Sequence, residues 1–341
     1  MDFINRILGY NSVSIVGTAK NTGKTTCLNY ILERLTERNY NIAVTSIGVD
    51  GEKRDVLYDT PKPRIKLSKG NLFVTTEKHY AEKELSAKLL HKSKVYTPLG
   101  RLLIARAENE GQVILSGPSD SHTLTQYISL LLDAGADMVI VDGALNRMSL
   151  ASPAVTDATV LCTGASLTLD MDKLIKHIKY LCELINIEQD KKLVIPADEG
   201  VMGIIKVKGE MEITEVAESL FTLKMPVSAL LRRFHKVLVN GVLTDSFLKE
   251  VGADTNVGST KLYVRDFSRI FAQPQTYYRY LRRGGKMLVL QRAKLLAICT
   301  NPVSPNGYSF EPEVLRSAVA SAVDVPVYDI KQCIEFGERK V

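Results

Sequence analysis

No two cysteines in this chain stand at Cys-x-x-Cys spacing. The five present, Cys27, Cys162, Cys182, Cys299 and Cys333, are scattered over 341 residues. That excludes a zinc ribbon, a dithiol redox motif and a disulfide framework from the expectations, and an odd, unclustered set reads as reduced thiols. The histidines are also sparse: His79, His91, His122, His177 and His235 form no metal-ligand spacing. Neither Gly-x-Ser-x-Gly nor His-Glu-x-x-His occurs, which removes the commonest serine-hydrolase and zinc-protease signatures. No apolar run approaches the roughly 20 residues that span a bilayer. The opening MDFINRILGY lacks the basic end and apolar core of a signal peptide, so a cytoplasmic protein is expected. One sign of charge barely dominates: 44 Lys and Arg face 38 Asp and Glu, a net +6. That excess suits an anionic small ligand or an acidic partner and does not argue for nucleic acid. Hydrophobic residues make up 45% and charged residues 24%, the balance of a globular chain. Its length allows one large or two ordinary domains.

The informative stretch runs from Ser12 to Asn29. Val13, Ile15 and Val16 read as a strand, the chain then enters a loop of small and polar residues, and Gly23-Lys24-Thr25-Thr26 leads into an apolar-periodic segment. Strand, glycine-bounded loop and helix start are the context a phosphate-binding loop requires. Loop N–H groups and the positive helix end are suited to surround a polyphosphate. The spacing assigns phosphate binding to Gly17, Thr18, Asn21, Thr22, Gly23, Lys24, Thr25 and Thr26. Lys24 is expected to reach the β/γ-phosphates and the Thr25 hydroxyl to ligate Mg2+. Five residues separate Gly17 from Gly23, one more than the common form of the motif allows.

Leu28, Ile31, Leu32 and Leu35 recur at helical spacing after the loop. A second strand is expected over 42–47, followed by Asp50, placed at the edge of an α/β sheet where ligands bind and thus a candidate for Mg2+; an Asp-Gly turn explains it equally well. Strands are expected over 71–76, a helix over 81–91, and a β-hairpin joining 102–105 to 113–115. The hydroxyl-rich run Ser116 to Ser121 fits either a ligand pocket or a turn with a helix N-cap. Met138 to Val141 is a strand buried on both faces, ending in Asp142-Gly143-Ala144. An acidic residue ending such a strand downstream of a phosphate loop is the Walker-B arrangement, so Asp142 is expected to hold Mg2+ and, with Lys24, to carry the chemistry. Asn146 and Arg147 follow as candidates for the γ-phosphate or a second substrate.

A strand over 158–163 and an Asp170-capped helix come next. Beyond about residue 190 the chain continues as alternating strands and helices. Asn240 ends one strand, as a turn or as a base-reading side chain. Tyr277 to Lys286 alternates aromatic and basic residues and is read chiefly as a mixed-face helix with a glycine stop. The Thr300–Gly307 loop is read as a second ligand loop or a proline-rich turn. Cys27 is read as a small helix-packing residue. The expected fold is α/β: a P-loop NTPase domain over 1–190, with a mostly parallel central sheet and helices on both faces, and a C-terminal α/β region over 191–341, either separate or packed as part of the same domain.

The order of these motifs resembles the dethiobiotin synthetase/MinD class of P-loop proteins over roughly the first 165 residues, including the expanded loop and the acidic-Gly-Ala turn. Lys20 lies one place beyond the signature lysine of one branch, with Ala19 in its slot, so it is read as a solvated loop lysine. Lys62 resembles the lysine after the second strand of that class, and a surface loop lysine explains it as well. More narrowly, GTAKNTGKTT, SIGVDGE, TPLGR, SGPS, VDGALNR, TDATVLCTGAS and NPVSPNGYSF are similar to the P-loop subunit of the reactivase for adenosylcobalamin-dependent lysine aminomutase. That resemblance implies ATP and Mg2+ as cofactors, ATP hydrolysis, a MutS-like partner ATPase and a cobalamin-dependent aminomutase as client. A dethiobiotin synthetase-like carboxylate-activating ligase and a nucleotide-binding regulator without turnover remain the alternatives.

Overall fold

The computed structural model describes residues 2–47, 64–143, 152–195, 200–207 and 210–336. Asp50, Lys62, Asn146 and Arg147 lie outside the described residues. In chain order the elements are α1 (Phe3–Ile7), β1 (Ser12–Gly17), α2 (Lys24–Glu37), β2 (Ile42–Ser46), β3 (Ile65–Leu67), β4 (Leu72–Thr76), α3 (Glu77–Ala81), β5 (Ala87–Thr97), β6 (Gly100–Ala107), β7 (Gly111–Val113), α4 (Ser121–Asp133), β8 (Met138–Gly143), β9 (Ala158–Gly164) and α5 (Met171–Ile185). They continue with β10 (Val201–Val207), β11 (Glu210–Ala217), α6 (Val227–Arg233), β12 (Lys236–Val239), β13 (Leu243–Thr244), α7 (Asp245–Ala253), β14 (Lys261–Val264), β15 (Ile270–Phe271), α8 (Pro274–Arg282), β16 (Lys286–Val289), β17 (Leu295–Asn301), α9 (Pro312–Ala320), β18 (Val327–Asp329) and α10 (Ile330–Phe336). The chain divides into two compact units, Met1–Lys179 with Lys294–Val341, and Tyr180–Ala293.

The first unit is an α/β structure on a nine-stranded sheet ordered β18-β17-β9-β1-β8-β2-β4-β6-β5. Every pairing from β18 to β4 is parallel, and β6 and β5 add an antiparallel edge. Burial on both faces explains why β8 reads as a continuous apolar run over Met138–Val141 and why the two serines of β1 are buried too. Val13, Ile15, Met138 and Ile140 face a core shared with Phe3, Ile7, Leu28, Ile31 and Leu35 from α1 and α2. The intervening Ser14, Val16, Val139 and Val141 face the other way and are as fully buried.

Two expectations change here. The segment 81–91 is not one helix: α3 stops at Ala81 and β5 begins at Ala87. β5 is the sheet's edge strand, and register shifts between Leu89 and His91 and between Lys92 and Tyr96 break its alternation, so the period-2 signal is lost. The expected hairpin between 102–105 and 113–115 is absent as well. β6 lies between β4 and β5, while β7 pairs with β3. A Cβ on Gly111 would sit 2.2 Å from the Glu84 carbonyl oxygen, so the chain at this glycine runs hard against residue 84 and away from β6. Of the region expected over 191–341, residues 294–341 pack with the first unit. Leu295–Asn301 pairs parallel with β9, Cys299 opposite Cys162, and returns the chain to the first sheet.

The second unit holds a five-stranded sheet ordered β11-β10-β12-β14-β16. β12, β14 and β16 are parallel, and β10 and β11 antiparallel. Its core includes Leu193, Met202, Ile204, Leu238, Tyr263 and Leu288. The aromatic-basic run over 277–286 is a packing helix. Tyr277 and Tyr280 point inward, the Tyr280 hydroxyl donates to the Lys286 carbonyl at 2.8 Å, and Gly284 stops the helix at φ +86°. Arg279, Arg282, Arg283 and Lys286 are exposed.

Asp245, first residue of α7, ties this unit together. It pairs with Lys249 at 2.7 Å and accepts the Gln273 N–H at 2.8 Å. The Lys249 hydrogen bond, with help from Thr276 and the Gln273 N–H, pulls its carboxyl from 3.8 down to about 2. A folded value below the unfolded one stabilises fully above about pH 4 and is lost as pH falls toward 2. Asp245→Asn is expected to lower the thermal midpoint by a few degrees at neutral pH, with the gap to wild type closing near pH 2. A gap of constant size from pH 7 to pH 2 in the melting series contradicts this role.

Candidate functional site

The site is built where β1 ends. Gly17 gives way to Thr18, whose N–H donates to the Cys162 carbonyl at 2.8 Å and whose hydroxyl meets Thr163 at 3.0 Å. The N–H and hydroxyl of Thr18 both bond to β9, and Thr18 anchors the loop there. The Thr22 hydroxyl likewise turns inward and donates to the Ala19 carbonyl at 3.1 Å. Asn21 at φ +60° and Gly23 at φ +86° supply the left-handed steps that curl the chain into α2. Gly23 occupies the N-cap and offers no side-chain cap. The first-turn amides of Lys24, Thr25 and Thr26, which have no intrahelical acceptor, stay suited to an external anion.

Gly17 shows how close this loop folds upon itself. A Cβ there would lie 2.4 Å from Thr22 Oγ1 and 3.0 Å from Cγ and Cδ of Lys24. The Lys24 stem thus lies over Gly17, folded back across the loop. Lys24, Thr25 and Thr26 are half-buried.

Asp142 is the penultimate residue of β8, the strand beside β1, in register with Ile15 on one side and Ser46 of β2 on the other. Ile15 and Ile140 face the core that α2 covers, and alternation puts Asp142 on that same face. Asp142 therefore lies near the carboxyl end of β8 on the sheet face that α2 covers, and Lys24 and Thr25 begin α2 just after β1, at the edge where open α/β sheets bind ligands.

One part of the site falls in the Thr300–Gly307 loop, read from the sequence as a second ligand loop or a proline-rich turn without a partner named for it. Asn301, the last residue of β17, donates its Nδ2 to the Asn21 carbonyl at 2.9 Å. Its Cβ lies 3.2 Å from where a Gly23 Cβ would stand. Gly164 makes this approach possible: a Cβ on it would sit 1.9 Å from the Asn301 carbonyl oxygen. That oxygen accepts the Ala165 N–H at 3.0 Å. The turn after β17 thus clasps the glycine-bounded loop, and a Pro-Asn-Gly composition alone could not reveal its partner.

The other flagged groups resolve otherwise. Ser116 is fully buried and hydrogen-bonded to His79 Nδ1 at 2.9 Å, and Asp120 caps α4 through the Thr123 N–H at 2.8 Å. The run from Ser116 to Ser121 is thus a turn and a cap. Asn240 belongs to the second unit. Beneath the loop, Cys162 is held below the ordinary thiol range because Cys27 and Cys299 hydrogen-bond to it, with Lys24's charge adding to the effect.

Among the described residues, no helix is long and apolar enough to cross a membrane. In comparisons with known proteins, no family model, no curated protein and no solved structure matches this chain.

Proposed function

We propose that the chain is a P-loop NTPase that binds Mg2+·ATP at the Gly17–Thr26 loop and hydrolyses it. The observation that supports this best is the loop's own construction. It leaves the carboxyl end of a central parallel strand, closes tightly enough that a Cβ on Gly17 is excluded by Thr22 and Lys24, and delivers an uncapped helix start with Lys24 first. A cradle of that kind fits a polyphosphate. Bound ATP supplies the phosphoanhydride, and Mg2+ neutralises the charge that develops on it. The loop amides from Asn21 to Thr26 orient the phosphates, Lys24 holds the β/γ oxygens, and Thr25 with Asp142 holds the metal. Asp50 is a further candidate for the metal shell.

Asn301 serves this site by steadying the loop. Asn301→Ala removes one hydrogen bond, a net of about 1 kcal/mol, which corresponds to roughly 5-fold weaker nucleotide binding. Calorimetric titration checks this; unchanged affinity would show that the clasp is dispensable.

We further propose, on the resemblance of seven short runs to the reactivase P-loop subunit, that hydrolysis drives remodelling of an adenosylcobalamin-dependent lysine aminomutase, together with a MutS-like partner ATPase. Phosphate release measured with and without inactivated mutase tests the assignment. Stimulation by the mutase supports it. Stimulation by a carboxylate metabolite with no protein partner supports the ligase instead.

A further inference from the structure

Three of the five cysteines meet directly beneath the glycine-bounded loop. Cys27 is the fourth residue of α2, Cys162 lies on β9 opposite Gly17, and Cys299 lies on β17 opposite Cys162. All three are buried, at 0%, 0% and 3% exposure. Their sulfurs lie within 4.8 Å of one another, with Cys27 and Cys299 at 3.6 Å. Two adjacent strands and the helix above them each contribute one inward-facing thiol to a single point.

We infer that Cys27, Cys162 and Cys299 form a three-thiolate site for a soft monovalent cation of the Cu(I) type. A metal–sulfur bond near 2.3 Å in a planar three-fold site sets its sulfurs about 4.0 Å apart, within the spread that the three thiols already occupy. Hard cations require oxygen ligands, and thiolates select soft ions. Structural zinc sites close with four protein ligands, whereas this cluster supplies three. Full burial leaves no adjoining solvent to provide a fourth. Loading exchanges three thiol protons for one cation and leaves two net negative charges. The positive end of α2, whose first turn carries Cys27, faces that charge favourably. A disulfide would engage only two of the three sulfurs and leave the third without a role.

The site stands apart from the nucleotide reading, because its test reads metal alone. The full-length chain, reduced and kept anaerobic, is titrated with Cu(I) against a chromogenic Cu(I) chelator, and X-ray absorption is recorded on the loaded protein. The expected result is one equivalent taken from the chelator, with three sulfur neighbours around the metal. Cys27→Ser, Cys162→Ser and Cys299→Ser are each expected to weaken capture by more than the roughly 10–100-fold that outer-shell changes cost. Cys182→Ser, in the second unit, leaves it unchanged. Failure of the wild-type chain to take copper overturns the inference whatever the variants do. So does capture that survives the triad substitutions, or a coordination shell other than three sulfurs. Oxidation to a Cys27–Cys299 disulfide without metal capture overturns it as well.

Discussion

Lys24→Ala is expected to abolish ATP turnover, lowering phosphate release at least about 100-fold, the scale on which a preorganised charge contact to the reacting group acts. Lys24 is half-buried at the head of α2 with its stem across Gly17. Its loss therefore removes the charge proposed to meet the β/γ-phosphates and leaves the apolar face of α2, Leu28, Ile31 and Leu35, in the core. The variant should melt close to wild type. Phosphate release under saturating Mg2+·ATP, read beside a thermal melt, separates the two effects. Unchanged hydrolysis in a folded Lys24→Ala protein would remove the nucleotide site from this loop.

The second large effect is structural. Gly164→Ala places a Cβ 1.9 Å from the Asn301 carbonyl oxygen, which is backbone and cannot swing aside. β9 and β17 must part at the point where they hold the loop, a change expected to cost about 3 kcal/mol or more. The denaturant midpoint should fall accordingly. Nucleotide affinity should fall with it, because Asn301 loses its grip on Asn21. Gly241→Ala makes the control: nothing lies within 4 Å of a Cβ there, so its effect should stay within about 0.5 kcal/mol. Equal stability of the two variants would contradict the close approach of β9 and β17.

These two variants also mark how far the sequence could be read. β1, α2, β8 and β9 were legible because buried parallel strands are dominated by apolar residues and α2 repeats Leu28, Ile31, Leu32 and Leu35 at helical spacing. The glycine-bounded loop was legible because its residues are contiguous. What failed was non-local. β5 is a bulged, lysine-bearing edge strand, and Leu89 and Leu90 are exposed there at 45% and 40%, so its apolar residues mimic a helix face. β17 looks like any buried strand, and nothing within LLAICTN says that it returns to β9 rather than continuing the sheet that precedes it. Asn301 and the thiol cluster follow from that return. Each cysteine occupies an ordinary inward position on its own element, and only the strand order β17-β9-β1 brings Cys27, Cys162 and Cys299 together.

The central claim is that the loop from Gly17 to Thr26 binds polyphosphate. Its most direct test is calorimetric titration of the wild-type chain with ATP, ADP and AMP in the presence of Mg2+, repeated on Lys24→Ala. The account predicts that ATP and ADP bind, that AMP does not, and that the Lys24→Ala chain loses the binding. Equal affinity for all three nucleotides, or binding that survives Lys24→Ala, would contradict it.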